Sequence, residues 1–240
     1  MKHPLACAIA LALAFGPAVA VQAQSQGTAV SAPAAKSANP FFADSTLPLK
    51  YPAFDKIQDT DFAPAFDAGM KEELAEVDAI ANNKDAPTFD NTILAMEKKG
   101  RILYRAGSVF YNLLGADKND AREKIDEKYS PLFAAHQDEI RLNPKLFARI
   151  QKLYDTRASL GLNPEQVHLV ERYYTDFVRA GAKLSDADKV KLKDINAQLA
   201  TLGTQFDQKL IAERNASAVV VDTRAELDGL TDAQIDAAAE

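Results

Sequence analysis

From Asp59 onward the apolar residues of this chain recur every three or four positions, the spacing that lays a stripe along one side of an α-helix. Phe62, Phe66, Met70, Leu74 and Val77 make the first stripe. Pro64 lies near its start, where a first turn needs no amide donor. A second helix is predicted over Thr88 to Lys99, with Ile93 and Met96 inward and Gly100 as a break. A third carries Leu103, Ala106, Phe110 and Leu113 on one face, and Gly115 is expected to end it.

Ile125, Tyr129, Leu132, His136 and Ile140 mark the next helix, which Pro131 should kink or divide. Two helices then open alike: Asn143 with Pro144, and Asn163 with Pro164, each place a capping side chain before a proline at the first helical position. Gln166, three residues after Asn163, has capping-box spacing. That helix should stop at Gly181 and turn Val167, Val170, Tyr174 and Phe177 inward.

The most regular stretch is Gly181 to Phe206, where Ser185 caps and Asp186 and Asp188 suit the positive helix end. Leu192, Ile195, Leu199, Leu202 and Phe206 form its stripe, which is expected to be a packing seam of a helix running to about Arg214. "AVVV" at 218–221 is the strand candidate, and it has no evident partner. The fold class is therefore all-α, with at most a minor strand near 218–221. A last helix starts with Thr231 as cap and Gln234 three later, and no capping residue follows before Glu240. The expectation is a helical region at 59–240 that belongs to a longer protein.

The first part of the chain departs from this helical rhythm. Residues 39–58, "NPFFADSTLPLKYPAFDKIQ", combine prolines and aromatics and read as an extended arm lying against a surface. Residues 24–38 are small, polar and aperiodic, the composition of a disordered leader. Residues 1–23 pair Lys2 and His3 with an apolar run from Leu5 to Phe15 and small residues at Ala18, Ala20 and Ala23, the pattern of a secretory signal peptide. Cleavage there would remove Cys7, the one cysteine, so no disulfide or thiol chemistry is expected in the exported part. A lipid anchor on Cys7 fits poorly, because the apolar run lies mostly after it.

Composition narrows the chemistry. With 28 basic and 34 acidic residues the chain carries a net charge of -6, and its charges alternate in sign, which argues against nucleic acid as a partner. Three histidines exist, and His3 falls in the signal segment. His136 lies in register with an apolar stripe and reads as a hydrogen-bonded histidine at the core boundary. Glu165 and His168 have Glu-x-x-His spacing, but a di-iron site needs two such units plus two more glutamates, so a helix-end charge and a surface histidine are the simpler account. No G-x-S-x-G or phosphate-loop spacing occurs, and Lys183 reads as a solvated side chain. Acidic pairs such as Asp186 with Asp188 and Glu72 with Glu73 are expected on outward faces or first turns. No residue is assigned a catalytic, metal or cofactor-binding role.

Several segments together resemble a known family: "NPFFADSTLP", "FAPAFDAGMKEELAEVDAIANNKDAPTFDNTILAMEKKG", "LFARI" with "RASLGL", and "FVRAGAKLSDADKVKLKDINAQLATLGTQFDQKL". They look like the N-terminal part of bacterial peptidyl-dipeptidases, relatives of thimet oligopeptidase among the zinc metallopeptidases. The resemblance implies a two-lobed helical enzyme in which H-E-x-x-H and a further glutamate hold one zinc ion in a channel. It implies short oligopeptides as substrates and ligands beyond this chain, none of which can be carried onto a residue here. "LAMEKKG", "SLGL" and "AGAKL" favour the peptidyl-dipeptidases over the internally cutting oligopeptidases. With the signal segment, the expectation is a periplasmic protein that is free of the membrane after cleavage, its oligomeric state unassigned. An exported helical binding module without catalysis is the alternative from another class.

Overall fold

The computed structural model describes residues 39–217, 221 and 223–239. The leader segments 1–23 and 24–38 lie outside them, as does the strand candidate apart from Val221, which belongs to no element. The described chain is all-α: α1 (Asp59–Ala81), α2 (Ala95–Lys98), α3 (Arg101–Ala116), α4 (Asp120–Arg141), α5 (Pro144–Thr156), α6 (Pro164–Arg179), α7 (Asp186–Ala216) and α8 (Asp232–Ala239). No strand occurs among the described residues.

α1 runs along two cores. Its first half gives Phe62, Ala65 and Phe66 to an aromatic cluster with Ala106, Val109 and Phe110 of α3 and Tyr129 of α4. Its second half gives Val77, Ile80 and Ala81 to an aliphatic cluster with Ile93, Met96, Ile140, Leu146, Ile150, Leu153 and Val170. The 3.6-residue period lets one helix face serve both.

Caps fall where short polar side chains can accept from free amides. Asn143 accepts from the amides of Lys145 and Leu146. Asn163 and Gln166 complete a reciprocal box. Thr88 opens a π-helical stretch, Phe89–Leu94, that runs into α2 with Ile93 and Met96 buried. α6 closes through Gly181 at φ 95°, where the Ala182 amide reaches back to the Phe177 carbonyl and the Gly181 amide to that of Val178.

Four sequence expectations need correction. Pro131 does not divide α4, which is one 22-residue helix. Leu132 is exposed, and Phe133 joins the aromatic cluster in its place. Gly115 does not end α3, because the helix runs to Ala116 and Asp117 caps it by donating to the Leu113 carbonyl. The arm is not simply extended: it makes single 3-10 turns at Pro40–Phe42, Pro48–Lys50 and Phe54–Lys56, the first two opened by a proline whose fixed φ suits a first turn. Phe41 anchors it against Phe62 at a ring separation of 5.2 Å, and Arg105 of α3 donates to the Phe41 carbonyl and pairs with Asp44 at 2.8 Å. Phe42, Tyr51 and Phe54 stay exposed.

Candidate functional site

Two features stand apart from ordinary packing. The first is a buried ionic knot. Glu73 of α1, 5% exposed, accepts from Nε2 of His136 on α4 at 2.7 Å and pairs with Lys99, which lies between α2 and α3. Gly100 beside it adopts φ 67°, and a Cβ there would stand 2.8 Å from the Glu73 carboxyl carbon. The Gly100 amide meanwhile donates to Glu76 at 2.8 Å. Burial alone would raise the Glu73 carboxyl, but hydrogen bonds from His136 and Lys99 outweigh it and hold the group below the ordinary carboxylate range.

The structure thus overturns the outward placement of Glu73. Seven residues separate it from both Phe66 and Ile80, so it shares their buried face. Its signal in the sequence was that register, hidden because apolar letters alone defined the stripe. His136 is a hydrogen-bonded histidine as expected, though deeper than a boundary position at 4% exposed.

The knot does not fit a metal. It offers one carboxylate and one imidazole, and an ammonium already neutralises the carboxylate. No group of three or more metal-ligating side chains occurs among the described residues. Glu165 and His168 are both exposed. Lys183, also exposed, donates to the Tyr174 hydroxyl at 2.7 Å. Asp186 lies exposed in the first turn of α7, where Asp188 accepts from Ser185 and Lys191.

The second feature is α7, which packs along α4 through its polar side. Leu192, Asn196, Ala200, Thr204 and Gln208, spaced by four, are among its less exposed positions. Asn196 donates to Asp138 at 2.7 Å and Thr204 to Ser130 at 2.8 Å. Of the expected seam, Leu192 is half-buried on this side, but Ile195, Leu199, Leu202 and Phe206 face solvent instead and, with Leu210, are 51 to 64% exposed. At about 100° per residue the stripe lies roughly a third of a turn from the side that meets α4. A groove of about 620 Å³ adjoins it, lined by Tyr111, Leu114, Asp126, Leu199, Asp207 and Leu210 among others. Burial, then the Asp207 and Glu127 carboxylates, push the Asp126 carboxyl up. Burial and Asp126 push the Tyr111 hydroxyl to about 12.

Fold and surface together define a helical protein with closed cores and one large apolar face left bare. Over 202 residues, 84% of its length, the chain is 45% identical to the dipeptidyl carboxypeptidase of Escherichia coli strain K12. Over 204 residues, 85% of its length, it is 42% identical to the dipeptidyl carboxypeptidase of Salmonella typhimurium strain LT2. The likeness to peptidyl-dipeptidases drawn from the sequence is thus borne out over most of the chain. The chain spans about 30% of the length of these relatives. No protein-family profile matches it.

Proposed function

We propose that this chain is the N-terminal, non-catalytic helical region of an exported zinc peptidyl-dipeptidase, which releases dipeptides from the free C-termini of short oligopeptides. The observation that carries this reading is the identity of 42–45% to two dipeptidyl carboxypeptidases across a stretch that is 30% of their length. The signal-peptide pattern in residues 1–23 supports export, and the periplasm is the compartment it favours. No helix among the described residues is long and apolar enough to cross a membrane.

In this reading the zinc ligands and the general base lie outside these 240 residues, and no catalytic step is assigned to a side chain of this chain. Its contribution is structural: two closed cores make a rigid body, and that body forms one wall of the substrate channel. Residues that only hold a wall act on catalysis through position.

The test uses the polypeptide that carries this chain together with its remaining length. It should release dipeptides from a peptide with a free C-terminal carboxylate, leave the C-terminally amidated peptide uncut, and lose activity to a zinc chelator. Equal cleavage of both peptides would replace this reading with an internally cutting oligopeptidase. No cleavage of either would leave the helical binding module.

A further inference from the structure

α7 uses its sides in the reverse of the usual order. A helix on the surface of a finished protein turns its apolar stripe to the core and its polar residues to water. Here Asn196 and Thr204 meet α4, while Ile195, Leu199, Leu202, Phe206 and Leu210 meet solvent. From Ile195 to Leu210 the stripe extends about 22 Å at 1.5 Å per residue. Contiguous apolar surface of that extent on a soluble protein marks an interaction site.

The groove beside the stripe adds a charge requirement. Asp126 of α4 and Asp207 of α7 both line it, and neither has an ion-pair partner among the described residues. Lys118, which also lines it, pulls the Asp126 carboxyl down, but it is paired with Glu123 and is outweighed by burial and the neighbouring carboxylates. An occupant that buries this groove therefore has to bring a cation, since an unpaired buried carboxylate is costly.

We propose that the stripe and groove form the docking surface for a segment of the same polypeptide outside residues 1–240, one that presents apolar side chains to Leu199, Leu202 and Phe206 and a Lys or Arg to Asp126 and Asp207. This rests on the functional reading above, in which the chain is part of a longer enzyme. Length favours this occupant over a second copy, because the matched relatives carry more than twice as much chain outside the shared stretch as within it. Charge also disfavours a two-fold pairing of this groove with itself, which would set Asp126 and Asp207 against the same carboxylates of a second copy.

Cysteine accessibility tests it in the longer polypeptide. Leu202 lies on the stripe, and its neighbour Thr201 is exposed on the other side of the helix. With the unsubstituted protein as the background for Cys7, the Leu202→Cys variant should react with a maleimide at least about tenfold more slowly than Thr201→Cys, because its labelling waits on local opening. Adding Asp207→Lys should remove most of that protection. Equal rates at the two positions overturn the docking surface, and protection that vanishes on dilution overturns the chosen occupant in favour of a second copy. Protection unchanged by Asp207→Lys overturns the basic contact. Dipeptide release from the same preparation separates the two readings: release with equal labelling rates sinks the docking surface alone, and protection without release sinks the functional reading alone.

Discussion

The two sides of α4 are built from different materials. Toward α1 it presents Tyr129, Phe133 and His136, and the first two meet the Phe66 ring of α1 edge-on at 5.1 and 4.9 Å and each other at 5.7 Å. Toward α7 it presents Ser130 and Asp138, each held by one hydrogen bond from the facing helix. The aromatic side removes large apolar areas from water and is stable by its own burial. The polar side fixes register and gains little, because each bond replaces one to water. α7 is thus positioned by α4 while its own apolar stripe remains available.

The aromatic side should break hardest. Phe66 is fully buried and meets Phe62, Phe110, Tyr129 and Phe133 at 4.9 to 6.1 Å. Phe66→Ala should destabilise the chain by about 3–5 kcal/mol, transfer and cavity terms together, read from urea unfolding. A loss below about 1 kcal/mol would mean that this cluster collapses around the hole and is not the rigid half of the comparison.

The knot behind the aromatic cluster ranks second. Glu73→Gln keeps the shape but leaves Lys99 and His136 without their anion, at a cost of about 2–3 kcal/mol. Glu73 is held below its ordinary value of 4.5, so its contribution is present above that pH and is lost as pH falls through the lower folded value. The wild-type chain should therefore lose stability on acidification more steeply than Glu73→Gln below about pH 4.5, and the two unfolding curves should converge there. Parallel curves would show that the carboxylate is not the group that senses acid.

Much of the first half of this structure was legible in the sequence, because there the apolar letters and the buried positions coincide. The caps at Asn143, Asn163 and Ser185 were legible for a similar reason, since local chemistry decides them. Glu73 was not, because its burial depends on His136 and Lys99 arriving from 63 and 26 residues away. The α7 stripe was read correctly as apolar and helical, but most of it lies off the side that packs within this chain. Periodicity reports which residues share a face, and which face is buried depends on what lies opposite. Here Asp138 and Ser130 of α4 select the polar side by offering hydrogen-bond partners.

The smallest expected effect probes that selection directly. Asp138 is buried, burial raises its carboxyl above the ordinary range, and the Asn196 amide is the hydrogen bond that offsets part of this. Its second oxygen has no partner among the described residues. Asn196→Ala removes the offset, so the Asp138 carboxyl should rise further and the variant should lose about 1 kcal/mol near neutral pH. A raised carboxyl costs stability where it must ionise, and costs none where it is protonated in both folded and unfolded chains. The Asn196→Ala defect should therefore shrink as pH falls through the raised folded values of Asp138, and be largely gone by the ordinary aspartate value of 3.8, while the Phe66→Ala defect, which involves no titrating group, stays constant relative to wild type. Urea midpoints for the three proteins across that range would check it. A pH-independent Asn196→Ala defect would mean that α7 is held on α4 by packing at Leu192 and Ala200, and that its polar side was not chosen by hydrogen bonding.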